Sequence, residues 1–169
     1  MAQQDPNNYW EQLERLEKLI RASELKAGVI FSFHSLILGL FVDRIERFKD
    51  VFMENTVLLV LLICWFIFVA ISIFYCFRCF RPFMEMSYDK NVFFFRDAVT
   101  KFGSTENYTK ELIKTCSSEE ELYQLLAEQI HAESKIINAK FRNVQKSILF
   151  FAISFLFVIV TSVYWILFT

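Results

Sequence analysis

Few residues of this chain have side chains suited to metal, redox or acid–base chemistry. It has two histidines, His34 and His131, and four cysteines. Cys76 and Cys79 have the spacing found in zinc and redox sites, but a zinc site needs further ligands and the nearby sequence offers none. No phosphate-binding glycine loop and no nucleophile elbow is present. The sequence therefore predicts no metal site, no catalytic site and no cofactor, and we expect the chain not to be an enzyme.

Basic and polar residues recur near the end of the chain at steps of four, three, four and four. They are His131, Lys135, Asn138, Arg142 and Lys146. This spacing places them on one face of a helix. The face could bind an anionic ligand such as a nucleotide phosphate, or it could be a solvated face with lipid contacts. From charge and position we select four candidate nucleotide-binding residues: Arg96, His131, Lys135 and Arg142.

The composition indicates a membrane protein. The chain has 169 residues, of which 55% are apolar, with 21 Phe and a net charge of −1. Residues 27–42, 56–77 and 147–169 contain no Asp, Glu, Lys or Arg. At about 1.5 Å per residue, the second and third windows cover a hydrocarbon core of about 30 Å. The first is slightly short, but flanking Lys26 and Arg44 can reach the headgroups, so we predict three spans.

The predicted fold is an all-α membrane protein with a helical cytoplasmic region, since only two Pro and three Gly interrupt the chain. The predicted segments are an N-terminal amphipathic helix (1–26), a first span (27–42), a short periplasmic loop (43–55), a second span (56–77), a cytoplasmic helical region (78–146) and a third span (147–169). All but three of the 18 basic residues fall on one side of this arrangement. That bias predicts a cytoplasmic N-terminus in a bacterial inner membrane.

Two long helices are predicted to run from water into the membrane without a break. The first begins after Asp5 and Pro6, and the second begins near Ser118, where Ser118 and Glu121 fit a capping box. The second helix includes the face of basic and polar residues described above and continues into the third apolar window. A ligand that tilts its charged half would therefore displace its apolar half.

The first apolar window has a face of small residues at steps of four, three and four. The face consists of Gly28, Ser32, Ser35 and Gly39. Small side chains let helices in a membrane approach closely, so we predict helix packing there and a homo-oligomer. His34 lies beside this face. It could line a pore or sense pH, but we favour a neutral imidazole that is hydrogen-bonded within the bundle.

Three stretches of the sequence resemble the transmembrane effector family of bacterial Pycsar antiphage systems. They are "RASELKAGVIFSFHSLILGL", "NVFFFRDAVTKF" with "YTKEL", and "LAEQIHAESKIINAKFRNVQKSILFF". The resemblance extends from about Ser23 to the last residue. It depends on "LKAGVI", on the aromatic residues before Asp97, and on "QIH" followed by Lys135. No ligand-contacting residue is carried over from the family.

The resemblance implies an inner-membrane protein that responds to a cyclic nucleotide, cyclic CMP or cyclic UMP, made by a partner cyclase. It implies that membrane damage then stops the infected cell from supporting phage. We expect that no nucleic acid polymer is a partner of the chain. Two alternatives use the same helices. One is a membrane scaffold or assembly partner that needs no ligand, and the other is an oligomeric ion channel.

Overall fold

The described part of the protein is entirely α-helices and connecting turns. The structure, a computed structural model, describes residues 5–81 and 90–168, except for the side chain at position 50. Its helices are α1 (Asn7–Asp43), α2 (Ile45–Glu54), α3 (Thr56–Phe80), α4 (Phe95–Thr100), α5 (Thr105–Ser117) and α6 (Glu119–Phe168). No strand occurs within those ranges. The predicted all-α fold is confirmed.

Three of these helices, α1, α3 and α6, are long and apolar enough to cross a membrane. Helices α1 and α6 also contain the charged sequences that precede the first and third apolar windows. Helix α6 has 50 residues, which corresponds to about 75 Å at the usual helical rise. The prediction of long helices that continue unbroken into the apolar windows is therefore confirmed.

Several helix starts have side-chain caps, although those of α2 and α4 do not. The Oδ1 atom of Asn55 accepts hydrogen bonds from the backbone N–H groups of Val57 and Leu58, which stabilises the start of α3. The Oγ atom of Ser118 accepts from the Glu121 N–H at 3.3 Å, which is one half of the predicted capping box, whereas the Ser118 N–H donates to the Thr115 carbonyl at 3.2 Å. Gly103 has φ of 70° in the turn before α5, a conformation that glycine adopts without strain.

Helix α2 is an addition to what the sequence predicted, because residues 43–55 were expected to form a short loop. Phe48, Val51 and Phe52 are half-buried, whereas Arg47 and Lys49 are exposed. An apolar side and a charged side on a helix of this length are typical of a helix that packs on other helices at a membrane surface.

The chain forms two compact units. The first contains residues 1–21 and 83–138, and the second contains residues 22–82 and 139–169. The first unit buries Val92, Phe94, Phe102 and Leu126. In this unit the start of α1 packs against α6, since the rings of Tyr9 and Tyr123 stack with their centroids 5.2 Å apart.

The second unit has a core made by α1, α3 and α6. Ala27, Ile30, Cys76, Cys79 and Val144 are buried together there, and Phe31 and Phe151 pack against them. On the small-residue face, Ser32, Ser35 and Gly39 are exposed, and the Phe80 ring lies near Gly28. What packs against the rest of this face stays a prediction.

Candidate functional site

Asn91 fixes the segment of the first unit that precedes α4. Its backbone N–H donates to Asp97 Oδ2 at 3.0 Å, and its Nδ2 donates to the Leu125 carbonyl at 2.8 Å. Its Oδ1 accepts from the Phe93 N–H at 2.9 Å. Asn91 and Asp97 are each only 2% exposed. Because both side chains are buried and bonded, α4 is held firmly against α6 within this unit.

Helix α4 presents an aromatic ring beside a guanidinium group. Phe95 is 71% exposed, and Arg96, the next residue, is also exposed. Lys101 lies at the other end of the helix and pairs with the buried Asp97 at 3.4 Å. An exposed ring can stack on a nucleobase, and a guanidinium can bind phosphate oxygens in a bidentate manner.

His131 and Lys135 are exposed on α6, one turn apart. Among the residues that the structure describes, neither side chain makes a hydrogen bond or an ion pair. Both belong to the first unit, as Arg96 does, whereas Arg142 is exposed in the second unit. The structure thus places three of the four selected residues in one unit, and their role in nucleotide binding stays a prediction.

Glu133 is a half-buried carboxyl group between His131 and Lys135 in the sequence. Burial raises the pKa of Glu133, a hydrogen bond from the Gln129 amide opposes that rise, and the Glu17 carboxylate adds to it. The Gln129 Nε2 atom lies 2.9 Å from Glu133 Oε1. The proton affinity of this group therefore depends on how α1 and α6 pack in the first unit.

In the second unit, Lys140 of α6 joins three helices. Its ammonium group lies 2.7 Å from Glu24 Oε1 of α1 and donates to the Cys79 carbonyl of α3 at 2.6 Å. The Lys140 side chain is only 6% exposed. The Cys79 carbonyl belongs to the last turn of α3, where carbonyls have no partner within the helix, so Lys140 caps that helix with a positive charge.

A second polar contact between α3 and α6 lies beyond Lys140. Ser72 Oγ donates to the Ser147 carbonyl at 2.9 Å, and the Cys76 thiol and the Ser147 hydroxyl are 2.9 Å apart. These residues are buried. Polar side chains that bond across helices in an apolar surrounding stabilise one alignment of those helices.

Comparison with known families identifies the chain. The family model of the Pycsar effector protein domain matches residues 8–167. The chain belongs to the Pycsar effector family. Membership makes it an antiphage defence effector and implies a membrane location and a cyclic nucleotide signal from a cyclase. The resemblance expected from the sequence is confirmed. No curated protein and no solved structure matches this Pycsar effector.

Sequence reasoning missed the contacts of Lys140 in this Pycsar effector, since it placed this residue only within the predicted cytoplasmic helical region (78–146). A usable signal existed, because Ile137, Lys140, Val144 and Ser147 recur at steps of three, four and three. All four are buried. A lysine at a position that the repeat assigns to the core needs an anionic partner, and Glu24 is that partner.

His34 of this Pycsar effector is buried. Its ring lies edge-on to Phe151, with centroids 5.0 Å apart. Its Nε2 atom has no hydrogen-bond partner among the described residues, so the predicted hydrogen bond does not involve that nitrogen. All four cysteines are free. No group of three or more potential metal ligands occurs in the described ranges.

Proposed function

We propose that this Pycsar effector binds cyclic CMP or cyclic UMP made by a partner cyclase and then impairs the integrity of the bacterial inner membrane. The infected cell would die before phage can multiply, which is abortive infection. The observation that carries this proposal is the continuity of α1 and α6, each of which contains both a charged aqueous sequence and an apolar spanning sequence. Through such a continuous helix, a conformational change in either charged part would reach the spanning part.

The first unit offers the chemistry that a cyclic pyrimidine nucleotide requires. Its single phosphate carries one negative charge, which Arg96, His131 or Lys135 can neutralise, and Phe95 offers a ring on which the base can stack. Arg142 is a fourth cation, in the second unit. Binding would require no bond to be made or broken, so the proposal includes no enzymatic step.

The mechanism that we propose is a population shift. The nucleotide binds one arrangement of the cytoplasmic helices more tightly than another and thereby favours the arrangement in which the spanning helices no longer seal the bilayer. The proposal includes a cytoplasmic N-terminus. It also includes association of several copies through the small-residue face of α1, which comprises Gly28, Ser32, Ser35 and Gly39.

Calorimetric titration of the purified protein in detergent tests the binding step. We expect heat of binding from cyclic CMP or cyclic UMP and none from cyclic AMP. Lys135→Glu should weaken binding about tenfold or more, because a charge-assisted hydrogen bond is worth about 1.5–3 kcal/mol. Lys110→Glu, at an exposed position of α5 where the lysine pairs with Glu106, is the control for a charge reversal elsewhere in the first unit. If neither cyclic CMP nor cyclic UMP gives heat of binding, the proposal is wrong and the ligand-independent scaffold is favoured.

A further inference from the structure

The second unit contains an aromatic cavity at the α2 end of the spanning helices. Its volume is about 220 Å³, and side chains of α1, α2, α3 and α6 line it. The aromatic members of the lining are Phe41, Phe48, Phe52, Trp65 and Trp165. Phe48 of α2 lies among them, with its ring centroid 6.5 Å from that of Phe41 and 6.1 Å from that of Trp165.

Helix α2 forms one wall of the cavity through its apolar side. Phe48, Val51 and Phe52 face the cavity, whereas Arg47 and Lys49 are exposed. An amphipathic helix of this kind lies at the boundary between headgroups and acyl chains. The cavity is therefore at the depth where the acyl chains of a lipid begin.

The walls of the cavity fit hydrocarbon and exclude a polar ligand. Thr161 and Ser162 contribute the only side-chain hydroxyls of the described lining, and Ser162 Oγ already donates to the Val158 carbonyl at 2.8 Å. No charged side chain lines the cavity in the described structure. Water needs two to four polar partners, and a nucleotide needs more, so neither is stable there.

We propose that this cavity binds an acyl chain of a membrane phospholipid. A dry apolar cavity of about 150 Å³ already accommodates benzene, so this volume holds a substantial part of a chain. Around spanning helices the available apolar molecule is lipid, and the helices that line the cavity also carry exposed apolar residues, among them Leu40 and Val160. The bound acyl chain is stabilised by dispersion contacts with the atoms of the cavity wall. Those wall atoms lack such contacts when the cavity is empty. The site is independent of nucleotide binding.

Tryptophan fluorescence in vesicles of brominated lipid tests this site. Trp65 is 5% exposed, so surrounding lipid can contact its ring mainly through the cavity. Trp10→Phe and Trp165→Phe together leave Trp65 as the single tryptophan, and Trp165→Phe keeps an aromatic ring in the cavity wall. We expect phosphatidylcholine with dibrominated acyl chains to quench Trp65 strongly, relative to the same lipid without bromine.

Two substitutions that fill the cavity, Leu62→Phe on α3 and Val158→Phe on α6, should each reduce this quenching. Val163→Phe, at a residue that is 50% exposed and does not line the cavity, should leave it unchanged. The two filling variants are independent, so misfolding of one leaves the other as a test. Equal quenching in the filling variants and in Val163→Phe would overturn the proposal. Weak quenching that grows as the protein is diluted in lipid would also overturn it, because a second copy would then occupy the cavity.

Discussion

At the scale of single residues, Lys140 is the polar side chain that joins α1, α3 and α6 in the second unit. One ammonium group contacts Glu24 of α1 and the Cys79 carbonyl of α3. Loss of that group would leave the carbonyl of the buried Cys79 without its partner, whereas the Glu24 carboxylate, which is 39% exposed, could still contact water. The cost of unpaired groups, rather than the intrinsic strength of the pair, makes this position sensitive.

We expect Lys140→Met to lower the free energy of unfolding by about 2–3 kcal/mol. Loss of one partner of a fully buried ion pair typically costs about 3–5 kcal/mol. The expected loss is smaller here because the Glu24 side chain is 39% exposed, so that water screens its interaction with Lys140. The double variant Glu24→Gln/Lys140→Met should recover part of the loss. Denaturant unfolding in detergent micelles measures these differences.

Lys146→Met is the matched control for Lys140→Met. Lys146 is exposed and only stacks over the Tyr75 ring, 5.2 Å from its centroid, so its loss should cost about 1 kcal/mol or less. If Lys140→Met were as mild as this control, the three-helix junction would not contribute as described.

Glu133 gives the first unit a pH dependence. Since the folded-state pKa of Glu133 is raised, chiefly by burial, its contribution to stability is fully present below the unfolded-state pKa and is lost as pH rises through the folded-state pKa. The Tm of Glu133→Gln minus the Tm of the unsubstituted chain should therefore increase as pH rises above the usual pKa range of a glutamate carboxyl. Thermal unfolding at several pH values measures this gain, and a difference that does not vary with pH would contradict it.

At the scale of helices, the sequence predicted what depends on local pattern and failed where distant segments meet. Apolar windows and the scarcity of Pro and Gly predicted the three long helices, because those signals act within each helix. The bonds from Asn91 to Asp97 and Leu125, the partner of Lys140 and the cavity beside α2 depend on how helices pair. Periodicity within one helix does not encode that pairing. The four residues selected as nucleotide-binding candidates are exposed. The sequence could not predict which of the two compact units each of them belongs to.

A helix break in α6 should uncouple ligand binding from the membrane. Gln145 is exposed within α6, and proline there removes one backbone hydrogen bond and clashes with the preceding turn, at a cost of about 3 kcal/mol. We expect Gln145→Pro to bind nucleotide but to lose nucleotide-dependent leakage from vesicles, whereas Gln145→Ala retains both. Leakage by Gln145→Pro that equals the leakage by Gln145→Ala would show that an unbroken α6 is not needed.

At the scale of the whole molecule, the proposed function requires a ligand-responsive part and a part that acts on the bilayer. The described chain has three helices that could span a membrane, and two of them extend into charged sequence. The polar contacts of Lys140, Ser72 and Ser147 stabilise one alignment of the spanning helices. A ligand must favour a different alignment by more than these contacts contribute.

The most direct test of this account is dye release from vesicles that contain only lipid, the purified protein and an entrapped fluorophore. The account predicts that cyclic CMP or cyclic UMP triggers release and that vesicles without the nucleotide or without the protein stay sealed. Dye that remains trapped while calorimetry under the same conditions shows bound nucleotide would contradict the account, as would release that does not depend on the nucleotide.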